Sequence, residues 1–333
     1  MNNEPSLTFI KASFTPPFWA RNCHLQSLLG TLKFRRPALI KKSQRLLTHS
    51  QEFLLDAHDG IRLQSFYSPQ QPASRKLAVL LHGWEGSHES LYLLSAANSL
   101  YQAGYDVLRL NLRDHGSSHH LNKELFHSNR LQEMVDAVKS AQEKFQPDTT
   151  YLIGFSLGGN FATRIAVEAS RNQIALEKTI AICPAIEPKD ILVQLENGLR
   201  FYHDYFVKKW KRSLRIKQSH FPDEYDFDEV HQIKSMREMT NRLLELFGDF
   251  KSSDHYFNGY ALSGERLKDL DSSVTMLISK DDPVINFRDT FTLTQNSYLD
   301  IHISEYGGHC GFIKNSKLQS WADEFILAQL KQV

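Results

Sequence analysis

The sequence contains few cysteines, and nothing in their arrangement would pair them. Three occur among its 333 residues, widely separated and without a C-x-x-C motif: Cys23, Cys183 and Cys310. An odd, scattered set of this kind indicates neither a disulfide framework nor a zinc site. A reducing compartment is therefore the simplest environment for the chain.

An excess of charge of one sign and long apolar runs are also lacking. Lys and Arg number 39 against 38 Asp and Glu, so the overall charge does not point to nucleic acid as a partner. No apolar run is long enough to span a bilayer. Residues 1–10 lack the basic start and apolar core of a signal peptide. We therefore expect a cytoplasmic protein.

What the chain does contain is an alternation of short apolar runs with amphipathic segments. The apolar runs are 77–81, 105–110, 151–155, 179–183, 274–278 and 299–304. Strands that alternate with helices predict an α/β fold with a mostly parallel central sheet flanked by helices. Asp59-Gly60, between two further strand-like segments, predicts a hairpin before the parallel part.

The alternation is interrupted once, between residues 187 and 265. This segment is helical and charged, with no convincing strand, so we expect a helical cap inserted into the α/β domain. The core then comprises 49–186 and 266–333. Residues 1–48 are expected to form an irregular extension that packs on the core, with room for one short helix at 22–29.

The turn between one apolar strand and the following helix carries the strongest chemical signal. Gly154-Phe-Ser156-Leu-Gly158 matches G-x-S-x-G, the nucleophile elbow in which a strained turn exposes a serine. The residues two before and two after the serine must be small, and both are glycine. A five-residue pattern also arises by chance, and an ordinary glycine-rich turn is the alternative, so the rest of the chain has to decide.

A nucleophilic serine needs a base, and an acid to hold that base, and in this kind of fold both follow at the ends of later strands. Asp281 and Asp282 come directly after the strand at 274–278. We favour Asp282, because Pro283 restricts its conformation and fixes its direction. His309 follows the last strand, between glycines. Taken alone, Asp-Asp-Pro would be interpreted as a turn, and His309 as a structural histidine. Because they follow Ser156 in the order acid and then base, the sequence predicts a catalytic triad.

Two backbone N–H groups are placed to stabilise an oxyanion. Trp84 follows the first buried strand, in His82-Gly-Trp84, and Leu157 follows the serine directly. Donors at these two positions are typical of hydrolases in which a serine attacks a carbonyl. The sequence therefore predicts an oxyanion hole formed by the Trp84 and Leu157 N–H groups.

These motifs also resemble those of a known family. The chain is similar to the YheT-type α/β-hydrolases, which include eukaryotic abhydrolase-domain esterases, in His82-Gly-Trp-Glu-Gly-Ser87, Gly154-Phe-Ser-Leu-Gly-Gly-Asn160, Asp281-Asp-Pro283, Gly307-Gly-His-Cys-Gly-Phe312 and the opening Pro17-Phe-Trp…His24-Leu-Gln26. The resemblance covers nearly the whole chain. It implies the α/β-hydrolase fold and hydrolysis of acyl esters or lipid-like substrates, with Ser156, Asp282 and His309 at the triad positions. The chain differs from many members in the loop Arg113-Asp-His-Gly116, where those members have Arg-Gly.

Three weaker signals have a structural explanation that we favour. Histidines 115, 119, 120 and 127 crowd one loop, but their spacing matches no metal-ligand pattern, so a polar loop beside the site is preferred to a metal site. Cys310 could be a reactive thiol, although a small loop residue is the default. The basic amphipathic segment 206–217 could contact a membrane, but a cap helix that packs Trp210 against the domain is favoured.

Together these features predict a serine hydrolase for carboxylic esters of short to medium acyl chain, including lipid-like esters such as monoacylglycerol. No cofactor and no metal is needed, and the partner is a small-molecule ester. A thioesterase or an acyltransferase with the same triad is the alternative among enzymes. A non-catalytic binding protein on this fold is the alternative outside them. Cap aromatics would line an acyl pocket if they face inward: Phe201, Tyr202, Phe206, Trp210 and Phe221.

Overall fold

In the computed structural model of the chain, residues 9–72, 74–248 and 250–331 are described. Residues 1–8 lie outside the described residues. They make up most of the segment from which we expect the chain to lack a signal peptide. The strands are β1 (Phe9–Lys11), β2 (Gln51–Asp56), β3 (Arg62–Ser68), β4 (Lys76–Leu81), β5 (Asp106–Leu110), β6 (Thr149–Phe155), β7 (Lys178–Ile182), β8 (Val274–Ser279) and β9 (Leu299–Ser304). The α-helices are α1 (Cys23–Thr31), α2 (Arg36–Lys42), α3 (Gln44–Thr48), α4 (Leu91–Gln102), α5 (Leu131–Phe145), α6 (Leu157–Glu168), α7 (Pro188–Asn197), α8 (Arg200–His220), α9 (Asp228–Gln232), α10 (Met236–Phe247), α11 (Ser253–Asn258) and α12 (Trp321–Leu330).

All of these strands belong to one sheet, in the order β1-β9-β8-β7-β6-β4-β5-β3-β2. The pairs β2–β3 and β3–β5 are antiparallel, and every other neighbouring pair is parallel. The hairpin at Asp59-Gly60 joins β2 to β3, with Asp56 opposite Arg62. The predicted fold class, a mostly parallel sheet flanked by helices, is confirmed.

Both faces of the central strands are covered, which explains their unbroken apolar runs. Alternate residues of β4 point to opposite faces. Leu77, Val79 and Leu81 pack in the cluster that contains α5 and α6. Ala78 and Leu80 pack in the cluster formed with α4 and α12. Because the strands between β4 and β9 run in parallel, their carboxyl ends, and the loops that follow them, meet at one edge of the sheet.

The segment between β7 and β8 contains helices α7 to α11 and no strand among its described residues. Helix α8 extends beyond the predicted 206–217 at both ends, running over 21 residues. Its apolar side rests on the sheet edge, where the ring of Trp84 stacks on Phe206 at 5.4 Å and meets Trp210 edge-on at 5.2 Å. No helix in the described residues is long and apolar enough to cross a membrane.

A buried ion pair fastens α8 to the loop after β5. The ammonium of Lys217 lies 2.9 Å from Asp114 Oδ1, and the two side chains are 1% and 5% exposed. Lys217 also donates to the carbonyl oxygens of Asn122 and Glu124, at 2.6 and 3.2 Å. The amphipathic pattern alone gives no sign that the last lysine of this segment is buried, because the partner carboxylate lies about a hundred residues away in the chain.

The short helix predicted at 22–29 is present as α1, but the prediction that the rest of residues 1–48 is irregular was wrong for several segments within 9–48. Strand β1 pairs in parallel with β9, and α1, α2 and α3 follow it. Asn22 caps the start of helix α1, because its side chain accepts a hydrogen bond from the Leu25 N–H at 3.0 Å. Three residues are too few to show strand periodicity, and β1 depends on the sheet edge that it joins.

Candidate active site

Ser156 lies in a strained turn between β6 and α6, with φ 53° and ψ −120°. A non-glycine residue in this region is costly and persists only where its surroundings impose it. A Cβ on Gly154 would come within 2.1 Å of the Gly158 carbonyl oxygen. A Cβ on Gly158 would come within 2.4 Å of the Leu81 carbonyl oxygen. Both positions therefore require glycine for the turn to close against β4.

His309 connects this serine to a carboxylate. Its Nε2 lies 2.9 Å from Ser156 Oγ, and its Nδ1 lies 2.9 Å from Asp282 Oδ2. Since an ionised carboxylate can only accept, Nδ1–H donates to Asp282. In the neutral form of the ring, Nε2 then accepts from the serine hydroxyl. The other oxygen of Asp282 accepts from the N–H groups of Val284 and Ile285, at 2.8 and 2.9 Å. The three predicted triad residues thus form one continuous chain of hydrogen bonds.

The carboxylate makes His309 more basic. Burial by itself lowers the pKa of this imidazole, but the negative charge of Asp282, with a further contribution from Cys310, outweighs burial and raises the pKa from 6.5 to about 9. The side chain of Asp282 is only 1% exposed, so water screens this attraction little. His309 is therefore arranged to take up a proton.

Asp281, the neighbouring carboxylate, points elsewhere. Its Oδ1 accepts from the Ser279 hydroxyl at 2.7 Å and from the Gly308 N–H at 2.9 Å. Burial raises the pKa of this carboxyl. Asp281 therefore holds the loop just before His309, whereas Asp282 contacts the imidazole itself.

The loop that carries Trp84 is packed directly against the serine. A Cβ on Gly83 would lie 3.1 Å from the Ser156 Cβ. The N–H groups on either side of Trp84 are occupied: that of Gly83 donates to the Tyr92 hydroxyl at 2.9 Å, and that of Glu85 to His115 Nε2 at 3.0 Å. Within the described part of the chain, the N–H groups of Trp84 and Leu157 donate to no acceptor. Both predicted oxyanion donors are thus available.

Two buried histidines hold this loop, a role that the sequence did not reveal. His82 Nε2 accepts from the Leu112 N–H at 3.1 Å, and its Nδ1 donates to the Gly83 carbonyl at 2.8 Å. His115 accepts from Glu85 and donates to the Arg113 carbonyl at 2.7 Å. Burial lowers the pKa of His82 to about 4 and that of His115 to about 3, so both rings are neutral at pH 7.

The remaining loop features are structural as well. His119 Nε2 lies 2.8 Å from the Ser213 hydroxyl of the cap. Among the described residues, the loop histidines form no group of three or more close enough to share a metal ion. The guanidinium of Arg113 is fully buried and pairs with Glu133 at 2.7 Å and Glu124 at 3.1 Å. Arg113 does not line the cavity described below.

Helix α1 supports the loop that carries His309. The His309 N–H donates to the Ser27 hydroxyl at 2.8 Å, and Gln26 accepts from the Ile313 N–H at 2.6 Å. A Cβ on Gly308 would come within 2.4 Å of the Cys23 carbonyl oxygen, so the loop lies directly on the helix. In the sequence, the only indication that this helix supports the site was the resemblance of the opening segment, which ends at Gln26, to that of the family.

A cavity of about 1530 Å³ lies between the cap and the sheet edge, and both Ser156 and His309 open into it. Of the five cap aromatics predicted to line a pocket, Phe206 and Trp210 do so. The other three do not: Phe201 is 56% exposed, the Tyr202 hydroxyl bonds His24 at 3.1 Å, and Phe221 packs within the cap. Sequence pattern alone could not separate these uses, because all five lie on or next to the same helix.

This fold, with a serine at its elbow, is that of the α/β hydrolases. The chain belongs to the α/β-hydrolase family, since the family model for the alpha/beta hydrolase fold matches residues 77–249.

Relatives extend the likeness to nearly the whole chain. The Escherichia coli (strain K12) protein YheT, provisionally named an esterase, is 22% identical over 325 residues, which cover 95% of this chain and 92% of that protein. A monoacylglycerol lipase of Saccharomyces cerevisiae is 22% identical over 285 residues, covering 81% of this chain and 63% of its own. The Pyrococcus furiosus esterase Pf2001 shares the fold, with a TM-score of 0.56, 13% identity and coverage of 86% and 95%. The resemblance to YheT-type α/β hydrolases is confirmed, and the first two of these relatives carry the names of an esterase and a lipase.

Replacing Ser27 tests the support from α1. Ser27→Ala leaves the buried His309 N–H without its acceptor, at a cost of about 1–3 kcal/mol, so we expect kcat for a p-nitrophenyl ester to fall about tenfold. KM should change little, because the substrate cavity is untouched. The control is Ser219→Ala near the end of α8, whose hydroxyl bonds only the Ile216 carbonyl and which does not line the cavity. Equal activity of Ser27→Ala and the control would contradict a supporting role.

Proposed function

We propose that this chain is a serine esterase in which Ser156, His309 and Asp282 form the catalytic triad. The single observation that supports this most strongly is the position of His309, 2.9 Å from both the serine hydroxyl and the carboxylate. A strained serine at a helix start, a basic imidazole and a buried carboxylate are the parts that acyl transfer requires.

In the proposed mechanism, Ser156 Oγ attacks the ester carbonyl while His309 Nε2 takes its proton. The tetrahedral oxyanion is bound by the Trp84 and Leu157 N–H groups. Collapse expels the alcohol, which receives the proton from His309, and leaves an acyl group on the serine. Water then attacks that acyl-enzyme with His309 again as base, and the acid is released. Asp282 keeps the imidazole in the required tautomer and stabilises its positive charge.

The substrate we propose is a carboxylic ester of short to medium acyl chain, with lipid-like esters such as monoacylglycerol included. An apolar wall formed by Trp84, Phe206 and Trp210 beside Ser156 supports this choice, because such surfaces bind acyl chains. The names of two relatives, an esterase and a monoacylglycerol lipase, agree with it. A thioesterase or an acyltransferase would use the same acyl-enzyme and remains the alternative. Cytoplasmic location stays a prediction.

The two neighbouring aspartates should differ sharply in their effect on rate. Asp282→Asn should lower kcat by up to about four orders of magnitude, whereas Asp281→Asn should lower it far less.

The pH dependence of the rate tests the same pairing independently. In the wild type kcat/KM should rise with pH as His309 loses its proton, with a midpoint near its pKa of about 9. Loss of the Asp282 charge should move the residual activity of Asp282→Asn to a lower midpoint. The reverse ranking, or an unmoved midpoint, would show that Asp282 is not the partner of His309.

A substrate panel tests the reaction class. We expect turnover of p-nitrophenyl acetate, butyrate and octanoate and of a monoacylglycerol, and none of p-nitrophenyl phosphate or a peptide amide. Attack of a serine on an ester carbonyl gives a tetrahedral oxyanion that two N–H donors can bind, whereas phosphoryl transfer usually depends on metal ions. A matching acyl-thioester series, with and without an added alcohol, separates thioesterase and acyltransferase activity from hydrolysis of oxygen esters. Preference for phosphate or amide, or a folded protein that turns over none of the esters, would contradict the proposal and favour a binding protein.

A further inference from the structure

The triad histidine is one member of a compact group of metal-ligating side chains. The Sγ atoms of Cys183 and Cys310 and a ring nitrogen of His309 all lie within 4.8 Å of one another. Cys183 follows β7 and is fully buried. Cys310 is 7% exposed and lines the cavity that contains Ser156. The two thiols come from distant parts of the chain and meet beneath the imidazole.

The backbone holds both cysteines in place. Cys183 has φ 44° and Cys310 has φ 58°, a region that few residues other than glycine adopt. The Cys310 thiol lies 3.7 Å from the Ile182 carbonyl oxygen, and the Cys183 thiol lies 3.9 Å from that of Gly308. Each sulfur therefore points toward the segment that carries the other cysteine. The proximity of the two thiols thus results from fixed turns and not from mobile side chains.

We propose that Cys183, Cys310 and His309 form an inhibitory binding site for a thiophilic divalent cation such as Zn²⁺. Two thiolates and an imidazole are a ligand set that zinc prefers, with a fourth position left open for water. With Zn–S bonds of 2.3 Å, tetrahedral geometry separates two sulfurs by about 3.8 Å, so the present spacing requires adjustment of at most about 1 Å. Entry is through the substrate cavity, which Cys310 lines.

Occupation of this site removes the base of the proposed reaction. A ring nitrogen that binds the cation has no lone pair for a proton. Coordination through Nε2 separates His309 from Ser156, and coordination through Nδ1 separates it from Asp282. In either case the serine is no longer activated. The inhibition rests on the proposed function, but the binding of the cation does not.

Binding is tested with Co²⁺, which replaces Zn²⁺ in such sites and absorbs in the near ultraviolet when thiolates coordinate it. Chelator-treated protein is titrated with CoCl₂. We expect the thiolate band in the wild type and at least about tenfold weaker binding in Cys183→Ser and in Cys310→Ser, since each loses one of three ligands. Cys23→Ser is the matched control, because Cys23 is the third cysteine and lies outside the group. It should bind as the wild type does.

Inhibition is tested in parallel with ZnCl₂ and the best ester of the panel. Zn²⁺ should abolish turnover by wild type and by Cys23→Ser, EDTA should restore it, and Cys183→Ser should resist. If no ester is turned over, the proposed function fails while the Co²⁺ titration still decides the site. If a cysteine variant does not fold, protection of Cys310 from iodoacetamide by Zn²⁺ in the wild type decides instead. Absence of a thiolate band, absence of protection, or equal inhibition of Cys183→Ser would overturn the proposal.

Discussion

The close packing of the Ser156 turn against the end of β4 is the constraint on which the site depends. Gly158 lies so near the carbonyl oxygens of Leu81 and His82 that a Cβ there would come within 2.4 to 2.5 Å of both. This contact accompanies the strained, positive-φ conformation of the serine and brings the serine beside the loop that begins at His82. The proposed nucleophile and the proposed Trp84 N–H donor are therefore positioned by one and the same contact, as preorganised oxyanion binding would require. A looser turn would displace both together.

A second layer of buried groups fixes what this contact brings together. His82 and His115 hold the loop around Trp84 through neutral rings, each with one nitrogen donating and the other accepting. Ser27 holds the loop of His309, and Asp281 holds Gly308 next to it. These groups act by orientation, because a hydrogen-bonded neighbour limits the positions that a reacting side chain can adopt. His82, Ser27 and Asp281 lie outside the residues that line the cavity, whereas His115 lines it.

Local sequence predicted those parts of the structure that local forces determine. Buried strands and glycine spacing gave the sheet and the elbow, and Pro283 indicated which of two aspartates faces His309. The support from α1 was missed because it depends on residues nearly three hundred positions apart, such as Ser27 and His309. The same holds for Lys217, whose partner Asp114 lies in another element, and for the approach of Cys183 to Cys310. Contacts between residues so far apart in the chain produce no periodic pattern in the sequence. They form only when the folded sheet brings the ends of its strands together.

The central claim is that Ser156 is the nucleophile and that His309 activates it. Labelling with a fluorophosphonate, followed by peptide mass spectrometry, tests this claim most directly, since the reagent reacts with an activated serine and does not depend on the natural ester. The account predicts one adduct, on the peptide that contains Ser156, absent from Ser156→Ala and formed far more slowly in His309→Ala. Labelling that persists in Ser156→Ala, or that proceeds at an unchanged rate without His309, would contradict it.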